Sequence, residues 1–172
     1  MLPQARMLVA PDEGTTILEG GLGVVLKLAG AETGGSFSVV EHPLAPGVLG
    51  SPPHTHTNED EYSFVVEGTV GVMVGGEVYE AGPGSYVIKP RGVPHAFWNA
   101  GPKPARIVEI ISPAGFERYF AEIASLLPPN HHGPPDVQAL LAVQEKYGLE
   151  KDMASIPALT ERHGLVTGEP PA

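Results

Sequence analysis

HTHTNEDEYSFVVEG (His54–Gly68) and GSYVIKPRGVPHAFWN (Gly84–Asn99) are the two stretches on which the fold turns. In the first, His54 and His56 are one residue apart, so on an extended chain both imidazoles leave the same face. Glu61 follows five positions after His56, an odd offset that a straight strand would send to the opposite face. The polar segment Thr57–Asp60, with Asn58 inside it, is the place where a turn or bulge returns Glu61 to the histidine side. In the second stretch, His95 follows the Pro- and Gly-punctuated run Lys89–Pro94, and Asn99 lies four residues later on the same strand face. Three neutral imidazoles and one carboxylate make a mixed nitrogen and oxygen set suited to a divalent Mn, Fe, Co, Ni, Cu or Zn.

Outward from these stretches, short apolar runs rich in Val and Ile alternate with Gly and Pro clusters from Ile17 to Ser112. The pattern predicts strands at Val24–Leu28, Phe37–His42, Tyr62–Glu67, Val70–Val74, Glu77–Tyr79, Ser85–Lys89, His95–Asn99 and Arg106–Ser112. Gly75 and Gly76 form a two-residue link able to take the positive φ angles of a hairpin turn. With no helix between the strands, an all-β sandwich or barrel is expected, not a parallel α/β sheet. Residues 1–16 read as an N-terminal arm able to add a peripheral strand, and residues 17–113 as the barrel.

After Pro113 the periodicity changes. Phe116, Tyr119, Phe120, Ile123, Leu126 and Leu127 recur at helical spacing up to Pro128 and Pro129. A second helix is predicted from Pro135 to Tyr147, with Gly148 as its stop. These C-terminal helices, within residues 114–150, are expected to pack outside the barrel. Residues 151–172 read as an extended tail, in which Gly164, Gly168, Pro170 and Pro171 predict fraying.

The chain has 172 residues, about one domain's worth. Its 22 Gly and 19 Pro approach the share at which low complexity becomes the default reading. Against disorder stand 42% hydrophobic and only 17% charged residues. The absence of Cys excludes disulfides, zinc ribbons, iron-sulfur clusters and thiol nucleophiles, which leaves His and carboxylate as metal ligands. A net charge of -10 opposes attraction to phosphate backbones and anionic lipids, so neither nucleic acid nor a membrane is expected as a partner. No run of signal-peptide length opens the chain and no eighteen apolar residues run together, so a soluble cytoplasmic protein is expected.

The run His54, Thr55, His56, four residues, Glu61, six residues, Gly68 resembles the first motif of the cupin superfamily, in which two His and a Glu bind metal. Gly84, five residues, Pro90, one residue, Gly92, two residues, His95, three residues, Asn99 is similar to the second cupin motif at every fixed position. At this chain's own residue frequencies the second motif alone arises by chance roughly 2 times in 10,000 chains. One departure stands in the first motif: Val48 occupies the place of the family's leading Gly, between Gly47 and Gly50. No ligand is affected.

The resemblance covers about residues 35–112 and implies a cupin β-barrel, that is, a double-stranded β-helix or jelly roll. It implies one divalent transition metal (Mn, Fe, Ni or Co, with Zn possible) on His54, His56, Glu61 and His95. The chain resembles the small bacterial quercetinase-type dioxygenases. They imply an enol or phenolic, flavonol-like small-molecule substrate and a proton-shuttling catalytic role for Glu61. A homodimer is also implied. Strand alternation in a small barrel sends His95, Phe97 and Asn99 inward and Ala96 and Trp98 outward, and puts Glu61, Ser63 and Val65 on the lumen. Ser63, Phe97 and Asn99 are therefore candidate substrate-pocket residues, with Asn99 also read as a turn or ligand-orienting hydrogen-bond partner.

Alternatives stay open at this level. The same centre could serve a metal-dependent lyase, isomerase or decarboxylase, a non-catalytic small-molecule-binding cupin, or a closed structural zinc site. Glu59 and Asp60 could substitute for Glu61 if the bulge differs. His42, His131, His132 and His163 read as solvent-facing or capping, Arg91 as a solvated loop charge, and Tyr62 and Tyr86 as core or barrel-wall residues.

Overall fold

The computed structural model describes residues 7–127 and 136–168. His131, His132, Pro128, Pro129, Pro135, Pro170 and Pro171 lie outside them, as do most of the arm's first residues. Along the described chain run β1 (Thr15–Leu18), β2 (Val24–Leu28), β3 (Ser38–Leu44), β4 (Val48–His56), β5 (Asp60–Glu67) and β6 (Val70–Val74). There follow β7 (Glu77–Ala81), β8 (Tyr86–Lys89), β9 (His95–Asn99), β10 (Ala105–Ser112), α1 (Glu117–Leu126), α2 (Val137–Tyr147), β11 (Leu149–Lys151) and α3 (Ile156–His163).

The strands form two antiparallel sheets, ordered β1-β2-β3-β10-β5-β8 and β11-β4-β9-β6-β7. Between them Leu44, Val65 and Ile107 of the first sheet pack on Val48, Val70, Val72 and Phe97 of the second. This is the expected all-β jelly roll, and its interior is a sandwich core filled by alternate residues of both sheets. The β6–β7 hairpin closes on Gly75 and Gly76 with φ of 60° and 90°, the left-handed conformation that a two-residue link needs.

β4 carries His54 and His56 in nine residues, although Pro52 and Pro53 lie inside it. The prolines are tolerated because pairing with β9 shifts register between Leu49 and Ser51 and again between Ser51 and His54. In such an irregularity no ladder N–H is needed from the proline positions.

The C-terminal region departs from expectation. α2 begins at Val137 with Asp136 as its cap, accepting a hydrogen bond from Ala139 N, and ends on Gly148 in the left-handed conformation. Residues 149–168 are not an extended tail. β11 pairs with β4, and α3 follows with Pro157 in its first turn, where its missing N–H removes no helix bond, and Gly164 as its stop. The cause is packing: Ala96 and Trp98 point out of the barrel, as alternation requires, and need cover. Leu165 with Ile156 and Leu159 supplies it, leaving Trp98 2% exposed. The ring of His163 lies 4.5 Å from that of Trp98, so this histidine is a packing partner and not a solvent-facing side chain.

α1 closes one end of the barrel, where Phe116 and Tyr119 join Val24, Val40, Ile111 and Leu149 in a second buried cluster. Among the described residues no helix is long and apolar enough to cross a membrane.

Candidate metal centre

The β4–β9 ladder sets His54 opposite His95, with ring centroids 4.3 Å apart. His56 lies two residues further along β4, on the same face. Residues 57–59 turn the chain into β5 on the facing sheet, where Glu61 pairs with Lys89 of β8 and Ile111 of β10. The odd offset between His56 and Glu61 is thus absorbed by a change of sheet. All four side chains are buried, and one ligand atom from each lies within 4.8 Å of the others.

The hydrogen bonds around the rings fix their tautomers. His54 Nδ1 donates to Pro52 O at 2.8 Å and His95 Nδ1 to Val93 O at 3.0 Å. A carbonyl only accepts, so in both rings Nδ1 carries the hydrogen and Nε2 keeps its lone pair. His56 Nδ1 donates to the carboxylate of Glu59 in the same way. His56 Nε2 is buried with no hydrogen-bond partner. His95 Nε2 stands 3.2 Å from Glu61 Oε2, and with the ring neutral the two face each other as acceptors, a contact that a shared cation resolves. An orphaned buried nitrogen, three rings with Nε2 aimed inward and one carboxylate fit a divalent transition metal.

Electrostatics agree with that fit. Burial holds the His54 imidazole well below its ordinary pKa, and the neighbouring His95 and His56 rings add to the effect. Burial likewise lowers His95, against the pull of the Glu61 carboxylate beside it. For Glu61 burial alone would raise the pKa, but the Lys89 ammonium and the two rings outweigh it and hold the carboxyl well below the usual carboxylate range.

Beneath the ligands lies a buried charged chain that sequence reasoning missed. Lys89 Nζ donates to Glu61 Oε2 at 3.0 Å and to Glu109 Oε2 at 2.5 Å, and Ser63 Oγ donates to both oxygens of Glu109. Burial pushes the Glu109 carboxyl up to about 7 against the pull of Lys89. Lys89 is raised despite its burial, because it faces two carboxylates. Parity could have found this: in β10 a glutamate stands between the inward-facing Ile107 and Ile111, where an apolar residue is the default.

From His54 and Glu61 a cavity of about 210 Å³ opens between the sheets and is roofed by α1, with Phe97, Phe116, Tyr119 and Phe120 in its walls. Gly50 keeps it open: a Cβ there would come within 2.4 Å of the Phe97 ring. His42 also borders it and is not solvent-facing. The side chain is 3% exposed, Nδ1 donates to Gly23 O at 3.0 Å, and burial lowers its pKa to about 4.

Of the candidate pocket residues, Phe97 lines the cavity and Ser63 and Asn99 do not. Ser63 is occupied by Glu109. Asn99 donates to Leu44 O at 3.2 Å and Lys103 O at 2.8 Å and accepts from Gly101 N at 2.9 Å, so it ties the β9–β10 turn. Glu59 serves His56, and Asp60 takes both a 3.1 Å and a 2.9 Å hydrogen bond from Arg91 at the surface, which leaves Glu61 as the inward carboxylate. Tyr62 and Tyr86 are exposed on the outer face and are not core residues.

Comparison with known proteins follows the same lines. Residues 40–111 match the family model described as Cupin domain. That span holds all four candidate ligands, while α1, α2, β11 and α3 lie beyond it. No curated protein matches the sequence. Among solved structures, the polyketide cyclase RemF from Streptomyces resistomycificus is 24% identical with a TM-score of 0.53, covering 62% of this chain and 79% of its own. A sugar phosphate isomerase of a cupin superfamily from Silicibacter pomeroyi is 23% identical with a TM-score of 0.52, covering 61% of this chain and 74% of its own. A predicted oxalate decarboxylase from Thermotoga maritima is 18% identical with a TM-score of 0.56, covering 62% of this chain and 98% of its own. The fold is that of a cupin jelly roll, and the matches support the cupin superfamily.

Proposed function

We propose that this cupin-fold protein is a metal-dependent enzyme, a dioxygenase acting on a small enol or phenolic substrate held in the cavity beside His54 and Glu61. The observation that supports this reading is the convergence of three Nε2 lone pairs and one carboxylate beside an aromatic-walled cavity that His54 and Glu61 border. His54, His56, His95 and Glu61 would hold the ion. A bound divalent transition metal supplies Lewis-acid polarisation of an enol or carbonyl oxygen, and a redox-active one supplies electron transfer.

The chain's own residues do the rest. The carbonyls of Pro52 and Val93 and the carboxylate of Glu59 hold the rings in one tautomer and orientation. Lys89 keeps Glu61 ionised, so the carboxylate is available at Oε1 as a ligand or as acceptor of a substrate proton. α1 and the aromatic walls line the approach to the reacting centre.

Aerobic assay of the manganese-, iron-, cobalt- or nickel-loaded protein with a panel of enol-type phenols should show consumption of dioxygen. A flat oxygen trace across the panel overturns the dioxygenase reading.

A second reading keeps the metal and drops the redox step, as in a lyase, isomerase or decarboxylase. Glu109 favours it: a cavity carboxyl whose pKa stands at about 7 can hold a proton at Oε1 or Oε2 and return it near neutrality. The cyclase, isomerase and predicted decarboxylase among the solved neighbours point the same way. Turnover by zinc-loaded protein, with no oxygen consumed, selects this reading.

A further inference from the structure

β11 lies outside the residues that match the cupin domain, yet its register sets Lys151 directly opposite His54 on β4. Lys151 borders the cavity that holds His54 and Glu61, and it also borders an outer cleft between β11, α3 and the Gly75–Gly76 turn. It is half-buried, and its ammonium has no carboxylate partner among the described residues. Its hydrogen bond goes instead to Tyr119 Oη at 2.8 Å, across the cavity wall from α1. The cavity's own carboxylates, Glu61 and Glu109, are taken up by Lys89, so a cation at its otherwise largely apolar wall keeps desolvated charge uncompensated, a cost that an anionic ligand removes. Tyr119 is 5% exposed and accepts from Lys151, so its own hydroxyl hydrogen remains to be donated. The pair offers two adjacent donors, which matches the two oxygens of a carboxylate.

Size narrows the class further. An engineered apolar cavity of roughly 150 Å³ accepts benzene. The cavity here, about 210 Å³, has room for one ring with one carboxylate and too little for the three rings of a flavonol. Among the other wall residues, Phe97, Phe116 and Phe120 suit the flat apolar faces of such a ring.

We infer that Lys151 and Tyr119 form a carboxylate-recognition pair at the cavity wall, and that the protein's substrate is a single-ring organic acid. The inference rests on the reading of this cavity as a substrate site. Lys151 and Tyr119 are binding residues: they grip the carboxylate and leave the ring's far side toward the His54 and Glu61 end. The sequence-based expectation of a flavonol-like molecule is thereby narrowed to one ring.

The test is calorimetric titration with benzoate and its neutral isostere benzyl alcohol, on metal-free and metal-loaded protein. Wild type should prefer benzoate by about tenfold or more, as expected when a charged hydrogen bond forms in a dry site. Lys151→Met should abolish the preference, Tyr119→Phe should reduce it, and Lys151→Arg, which keeps the charge, should retain it within about threefold. Equal affinity of wild type for the two probes overturns the proposal, as does a Lys151→Met protein that still prefers benzoate or a flavonol that binds as tightly as benzoate. If Lys151→Met does not fold, the wild-type probe ratio and Lys151→Arg decide. Elemental analysis of the same samples separates the two readings. A benzoate preference in protein that takes up no metal on reconstitution sinks the metal-enzyme reading and leaves this one standing, whereas one equivalent of metal without the preference does the reverse.

Discussion

The carboxylate of Glu59 accepts the Nδ1 hydrogen of His56, and both side chains are buried. The contact fixes the ring's tautomer and turns the His56 lone pair toward Glu61. Glu59→Ala should weaken transition-metal affinity by about 10- to 100-fold, measured by competition with a chromophoric chelator. His56→Ala should lose most of the metal found by elemental analysis. Wild-type affinity in Glu59→Ala would show that the contact merely fills space.

Acid should release the metal, and later than an exposed histidine site would. Ligand histidines must be deprotonated to bind, so protons and metal compete. Burial lowers the pKa of His54 and His95 below 6.5, so in the metal-free fold both rings stay neutral until the pH has passed beneath that value. Chelator competition should therefore give an affinity that is level from about pH 8 to about pH 6.5 and falls below it. A fall that begins above that range contradicts the burial argument.

His42 should make the fold acid-sensitive independently of metal. Its pKa is about 4 in the fold against 6.5 in the unfolded chain, so between those values the unfolded state binds the extra proton. The stability this neutral ring allows is fully present above about pH 6.5, is lost as pH falls toward about 4, and amounts to about 3 kcal/mol. Urea unfolding across this window should show a steeper acid loss in wild type than in His42→Gln. Parallel slopes would refute the assignment.

Lys89 neutralises two buried carboxylates, Glu61 and Glu109. Lys89→Met should cost about 3 to 5 kcal/mol, because it strands charge in the barrel. Adding Glu109→Gln should recover part of that loss, since the removed partner no longer needs a counter-ion. Additive losses in the double variant would mean that the pair does not couple.

Trp98, the chain's single tryptophan, reports on the C-terminal cover. It is 2% exposed beneath Leu165 and α3. Ending the chain after Asp152 should shift its fluorescence emission to the red. An unshifted spectrum would mean that α3 does not shield it.

How much of this was legible in the chain differs from element to element. The four candidate ligands were readable because two motifs resembling those of the cupins place them at offsets that an extended chain, a turn and a second strand satisfy. The hairpin at Gly75 and Gly76 was readable because its φ angles suit glycine. The fold of residues 151–168 was not, since glycine and proline there mark helix ends as well as they mark loops, and nothing local says that Trp98 needs a cover.

Local chemistry and period thus determined the all-β class, the candidate ligands His54, His56, Glu61 and His95, and the inward direction of Phe97. Tertiary structure alone decided that Glu109 and Lys89 share one buried chain, that His42 is neutral inside, and that Lys151 stands opposite His54. The reason is range: strand parity and turn chemistry act over a few residues, whereas these pairings join positions from 20 to about 100 residues apart, through a register that packing sets.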